Sequence, residues 1–314
     1  MTTLLDMIDE VSMNLSGYTL QQDRATHITA AVAATASTIA APITLSLAST
    51  DSVGKGIIEI DEELFWVDNY DRVGNTATIA PYGRAYIGTT LAAHTEGTKV
   101  TIAPTFPRFT IKRAINDTIS AIGSSIFAAK TTTITSNSAV SAFRLPTTVT
   151  LDTTADSLNI SKILAIAYQA LGSSKEWIPI RSYRFDGNAN TTAFTSGQTV
   201  SIYDYIPSGR SVQIVYATDP VPFTTNADVF TTVTGLPESC KDLVILGATY
   251  RLLSNLDPAR ASMVSPQADE TDSKRPYGSS QSLTKQVYAL FNQRLNEEIK
   301  NQQDKYPIRV HYSL

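Results

Sequence analysis

The sequence predicts an α+β protein: a helical bundle core of three or four helices carrying two inserted antiparallel β domains, the second a β-sandwich or jelly-roll-like domain. Three observations carry that expectation. Ile111, Ile115, Ile119, Ile122 and Ile126, and later Leu283, Val287, Leu290, Phe291, Leu295 and Ile299, recur at the spacing of one helix face. Between them, Leu243, Val244, Ile245, Leu246, Tyr250, Leu252 and Leu253 fall on nearly every side of a helical wheel, the pattern of a helix surrounded by protein. Short alternating runs separated by Gly, Asn, Ser and Pro fill the intervals, as strands and turns do.

Composition narrows the classes. With 314 residues the chain is long enough for two or three cored domains, and 42% apolar content excludes general disorder. Charged residues make up 17%, below the usual figure of about 25%, which suits β structure or surfaces covered by partners. A net charge of −4 gives no basis for tight nucleic-acid binding, which needs a basic patch. The single cysteine, Cys240, excludes an internal disulfide framework and reads as an inert core thiol. Asp6, Asp9 and Glu10 interrupt any signal-peptide hydrophobic region, and the uncharged stretch 29–50 is too rich in Thr and Ser, with Pro42, for a membrane span.

In chain order, residues 1–37 form an N-terminal helix and linker. Thr3 and Asp6 make a capping pair, Leu4, Ile8, Val11 and Leu15 form the apolar face, and Gly17 closes the helix. Residues 38–105 form a small β domain. There Gly56–Ile60 and Leu64–Val67 flank the acidic turn Asp61-Glu62-Glu63, and Gly74-Asn75 precedes a second hairpin strand. Residues 106–130 form a core helix, with Thr110 as its cap. Residues 131–235 hold the strand-dense domain, including 149–151, 163–168, 177–180, 199–202 and 211–216. Residues 236–306 return to the bundle: Pro237 fits a first helical position, Gly247 and Ala248 allow a close neighbour, and Asp257-Pro258 stops the helix. A polar loop at 259–281 leads to the last amphipathic helix, with Arg294, Glu297, Glu298 and Lys300 on its wet side. The tail at 307–314 alternates as a single strand that either docks locally or is available to a partner.

No catalytic constellation emerges. Glu59, Asp61, Glu62 and Glu63 could pair for glycoside hydrolysis or bind Ca²⁺, but packed into one hairpin they read as solvated turn charges. His27, His94 and His311 lack metal-ligand spacing, and His94 reads as a hydrogen-bonding link between loops. Gly172-Ser173-Ser174-Lys175 lacks the other glycines of a phosphate-binding loop. The pairs Arg181/Tyr183, Arg184/Phe185 and Tyr203/Tyr205 read as half-buried sheet faces rather than a ligand site. No enzyme activity, metal or cofactor is expected.

The run Ile58-Glu59-Ile60-Asp61-Glu62-Glu63-Leu64, the turn Gly83-Arg84-Ala85-Tyr86 and the loop Thr89-Thr90-Leu91-Ala92-Ala93-His94 resemble, in their order, a module of tailed-bacteriophage virion proteins. Together with Pro107 to Ile119 and Leu236-Pro237-Glu238-Ser239-Cys240, the chain resembles the head-to-tail adaptor (connector) proteins of those phages. The resemblance implies a virion neck protein, a ring of twelve copies under the portal protein that extends the DNA channel and joins capsid to tail. Its implied partners are the portal, a stopper or tail-completion protein, further copies of itself and passing double-stranded DNA without sequence-specific binding, with no membrane. Portal docking would fall to Ile308, Arg309, Val310, His311, Tyr312 and Leu314, and subunit-interface or channel contacts to Lys241, Asp242, Arg251, Arg84 and Tyr86. The alternative is a tail-associated receptor- or carbohydrate-binding protein using the 131–235 domain; a glycosidase is a third reading.

Overall fold

The computed structural model describes residues 2–19, 23–136, 142–144, 148–151, 154–157, 160–171, 176–188, 190, 192, 198–254 and 279–307. Two compact units divide the chain: a first of residues 1–5, 116–246 and 288–314, and a second of residues 6–115 and 247–287. The helices among the described residues are α1 (Leu4–Thr19), α2 (Arg108–Ile122), α3 (Phe230–Thr234), α4 (Lys241–Ser254) and α5 (Ser279–Lys305).

The second unit is built on β1 (Arg24–His27), β2 (Thr44–Ser46), β3 (Gly56–Ile60), β4 (Glu63–Asp71), β5 (Thr76–Ile79) and β6 (Lys99–Ile102). They form one antiparallel sheet in the order β1-β6-β3-β4-β5-β2, curved as a half-barrel. Its concave face follows from alternation: Ile58 and Ile60 on β3, Phe65 and Val67 on β4, and Ala77 and Ile79 on β5 are all buried in one cluster. The acidic turn is present as expected, with Ile60 paired to Glu63 across a two-residue reversal. Asp61 takes a positive φ of 55° there, which aspartate tolerates better than most side chains.

The first unit contains β7 (Ala128–Thr135), β8 (Ala142–Arg144), β9 (Thr148–Leu151), β10 (Thr154–Ser157), β11 (Ile160–Gln169), β12 (Trp177–Pro179), β13 (Tyr183–Asp186), β14 (Thr199–Ile202) and β15 (Ser211–Thr218). A four-stranded sheet runs β12-β11-β15-β7, a three-stranded sheet β13-β14-β8, and β9 pairs with β10. Residues of the two larger sheets share one core, in which Ile166, Val200, Val212, Ile214 and Tyr216 are buried. Tyr183 and Phe185 pack against that core, as alternating sheet residues should.

The expected helical bundle core with inserted β domains is corrected by this architecture, which is mostly antiparallel sheet accompanied by five helices among the described residues. Helical periodicity tells which face of a helix is buried; it does not tell what covers that face. In the first unit α2 and α5 are each bonded to a non-helical segment. Asn116 on α2 exchanges two hydrogen bonds with the Phe223 backbone (2.9 and 3.0 Å), and Gln302 on α5 does the same with Phe127, just before β7 (2.6 and 3.1 Å).

Several local expectations change for separate reasons. Gly17 does not close α1, which continues to Thr19; an exposed helical glycine costs about 1 kcal/mol and does not forbid the helix. Thr110 lies inside the first turn of α2, and the first amide, of Arg108, is instead accepted by Glu59 Oε1 at 2.6 Å. Pro237 precedes a 3₁₀ turn at Glu238–Cys240, and α4 starts only at Lys241. Leu243, Val244, Ile245, Ala248, Leu252 and Leu253 of α4 are buried, in keeping with its all-round apolarity. The loop expected at 259–281 lies outside the described residues up to 278. No helix among the described residues is long and apolar enough to cross a membrane.

Candidate functional site

The densest polar cluster sits where the sequence reading expected solvated charge. Glu63 is 1% and Glu59 3% exposed, and only Asp61 keeps an exposed side chain near them. Strand alternation explains Glu63: it shares a face with Phe65 and Val67 and is therefore carried inward. Burial of a carboxylate demands partners, and the turn after β5 supplies them. Arg84 Nε donates to Glu63 Oε1 (2.9 Å) and Nη2 to Oε2 (2.7 Å) in a bidentate pair. The Ala85 and Ala92 amides donate to the same carboxylate at 3.1 and 2.9 Å, and His94 Nε2 lies 3.0 Å from Oε2.

These five donors fill all of the roughly four lone-pair directions of a carboxylate. Burial alone would raise the Glu63 pKa, but the His94, Arg84 and backbone hydrogen bonds reverse that and hold it at about 2. Burial would likewise lower the His94 pKa, yet Glu63 on one side and Asp61 on the other (2.7 Å from Nδ1) raise it above 6.5. Arg84 also donates to the carbonyls of Ala33, Thr35 and Ala92, and its guanidinium lies 4.9 Å from the Phe65 ring. Glu59 behaves differently: burial pushes it up to about 7, although the Arg108 amide and cation act in the other direction.

A saturated carboxylate and an imidazole engaged at both nitrogens are poorly suited to proton transfer, which needs a group free to exchange protons with a substrate. The cluster is instead a clamp that holds the 82–94 loop against β4. The loop needs one. Tyr82, Ala85 and Ile87 all adopt positive φ (60°, 50° and 55°), and a β-branched residue such as Ile87 is rarely found there. Gly83 is obligatory at its position, because a Cβ would lie 2.9 Å from both the Ala80 and Trp66 carbonyl oxygens. On the outer side of the clamp, the Trp66 and Tyr86 rings meet at 5.2 Å, next to Ile87 (64% exposed) and Tyr82 (73% exposed).

A second cluster joins α4 and α5 in the first unit. Arg294 pairs with Asp242 (2.7 Å), Glu297 (2.5 Å) and Glu298 (3.1 Å) and also donates to the Ser239 carbonyl (3.2 Å). Glu298, expected on the wet side of the last helix, is buried and accepts a hydrogen bond from Ser239 Oγ at 3.1 Å. Charged residues enter a helix contact when the contact supplies their partners. Beside Glu298 lies Cys240, whose thiol burial and the nearby carboxylate push up to about 12. It is not a nucleophile at neutral pH.

The sequence-derived site residues thus take different positions. Arg84 faces inward, with its donors committed to its own unit. Tyr86 lies on the outer patch. Asp242 is engaged by Arg294, Lys241 opens α4 half-buried, and the Arg251 guanidinium lies 5.7 Å from the Tyr250 ring. Ile308, Arg309, Val310, His311, Tyr312 and Leu314 lie outside the described residues. Among the described residues no group of His, Cys, Asp and Glu could hold a metal ion. Sequence reasoning missed Glu59, Glu63 and Glu298 as buried charges; only the strand alternation around Glu63 could have signalled one of them.

A family model described as SU10 adaptor protein matches residues 87–311, more than two thirds of the chain, beginning just after the Arg84 clamp residue. No curated protein matches the chain.

Proposed function

The chain belongs to the SU10 adaptor protein family, a family of phage structural adaptors, and from that premise we propose that it forms a ring beneath the portal that extends the DNA channel and joins capsid to tail. The family match across most of the chain is the observation that carries this reading. As members of that family are virion components of the head–tail junction, the chain works there with other head and tail proteins. The finer assignments are part of the proposal: twelve copies, the portal above, a stopper or tail-completion protein below, and passing DNA contacted without sequence readout.

Two features support an assembly role over a chemical one. The clamp around Glu63 immobilises a loop without leaving a free acid or base. That loop carries exposed Tyr82 and Ile87 and half-buried Tyr86, whose ring meets exposed Trp66 of β4, an apolar group suited to a neighbouring subunit. Lys241 and Arg251 remain candidates for channel or neighbour contacts, and Ile308 to Leu314 for the portal.

Truncation after Pro307 tests the reading. The truncated chain is expected to fold, while phage carrying it accumulate DNA-filled heads and unattached tails. Imaging intact virions then locates the protein. Density at the neck is the expected result; density at the tail tip would favour a receptor- or carbohydrate-binding role, and normal infectious particles from the truncated chain would remove the docking assignment.

A further inference from the structure

β11 is ten residues long, but its neighbour β12 covers only Ala167, Tyr168 and Gln169. One more bond, from the Ile180 amide to the Ile166 carbonyl (2.8 Å), ends that ladder. Ahead of it, no strand among the described residues pairs with Ile160–Ala165 on the side away from β15. An interior strand with half of one edge open is a template for another strand.

The open edge borders a cleft of about 150 Å³ whose lining includes Ile163, Leu164, Ile166, Ile180, Tyr306 and Pro307. The end of α5 is fixed there. Gln302 bonds both polar groups of the Phe127 backbone, and the Tyr306 ring stands 5.9 Å from the Phe127 ring. Lys162 and Arg181 are the charged residues of the lining, and the Lys162 ammonium is drawn to the Phe127 ring, 4.4 Å from its centre.

We propose that residues 308–314 add as a strand along the open edge of β11, in the cleft that begins at Tyr306 and Pro307. The lengths agree: seven residues extend about 23 Å and the six of Ile160–Ala165 about 20 Å. So does the pattern. Ile308, Val310, Tyr312 and Leu314 share one strand face, which would extend the apolar surface of Ile163, Ile166 and Ile180, while Arg309, His311 and Ser313 face the other way. Backbone bonds supply the affinity and the alternate side chains the register, as in other strand additions. The chain's own tail is favoured over a neighbour's because its point of exit already lies in the cleft. Seating in the free chain stands apart from the adaptor reading; that a virion partner later draws the strand out rests on it.

Amide hydrogen exchange on the free protein, without any partner, tests the seat. Peptides covering Ile160–Ala165 should exchange at least tenfold more slowly in the full chain than in the chain truncated after Pro307. Val310→Asp, which places a charge on the apolar face and removes nothing from the core, should remove most of that protection while the rest of the protein exchanges as before. Hundredfold dilution should leave the protection unchanged. Equal exchange in the full, truncated and Val310→Asp chains would overturn the proposal, leaving the β11 bulges at Ile160/Lys162 and Ile163/Ala165 as the edge's own defence. Protection that disappears on dilution would also overturn it, by assigning the strand to a second copy. These outcomes do not depend on head–tail joining, so the virion phenotype and the seat can fail separately.

Discussion

At the scale of single residues, the Glu63 clamp sets the pH response of the second unit. Glu63 sits at about 2 in the folded chain, so its contribution is complete above the ordinary carboxyl value of 4.5 and is lost as pH falls from there towards 2. His94 acts with the opposite sign. Its pKa is raised above 6.5, so its contribution is complete below that value and is lost as pH rises through the folded pKa. Glu59, which burial holds up at about 7, loses its contribution as pH rises from 4.5 towards that value, so denaturant-derived stability should peak near the ordinary carboxyl value of 4.5, and Glu63→Gln should flatten the acid limb. Removing the cation is more severe: Arg84→Ala leaves a buried carboxylate without its bidentate partner, a loss of about 3–5 kcal/mol. Full stability of the Arg84→Ala chain at pH 6 would contradict the clamp. Ala85 offers a gain in the same loop. Its left-handed φ of 50° and ψ of 37° strain an alanine but not a glycine, so Ala85→Gly should raise stability by about 0.5–1 kcal/mol, read as a higher denaturant midpoint at unchanged slope.

At the scale of elements, Arg294 ties α4 to α5, because that side chain neutralises the buried Glu298 while bonding the Ser239 carbonyl and Asp242. Arg294→Ala should cost about 2 kcal/mol. Adding Glu298→Gln should recover most of the loss, since an amide in that place carries no charge. If the two substitutions cost independent amounts in a double-mutant cycle, the coupling is absent. The same elements show what a sequence can tell. The apolar period located α2 and α5, and the turn residues located the β3–β4 hairpin, because these are local properties. What α2 and α5 pack against is not a local property: in the first unit the Asn116 and Gln302 side chains bond the Phe223 and Phe127 backbones. The clamp divides in the same way. Glu63 could be found from its alternation with Phe65 and Val67, whereas Arg84 and His94 lie 21 and 31 residues further on with no periodic signal linking them to it. For Glu298 the wheel itself misled, because polarity alone cannot separate a solvated charge from a paired one.

At the scale of the whole molecule, the proposed ring would make docking a repeated weak event. If each tail contributes a millimolar contact, about −4 kcal/mol, one copy alone would not hold a tail to a head. Several copies held in one ring engage at high effective concentration, and the joint affinity then rises by about two to four orders of magnitude. This arithmetic has a dosage consequence. In phage made from mixtures of the full chain and the chain truncated after Pro307, joining should resist dilution of intact tails until roughly half the copies lack one, then fall steeply, because a complete ring holds more docking strands than the grip requires. Counting joined particles by electron microscopy against the subunit ratio measured in purified necks gives the curve. A threshold supports multivalent docking by the ring. A decline in simple proportion to the truncated fraction would mean that each junction relies on a single tail, and the ring would then serve the DNA channel without supplying the grip.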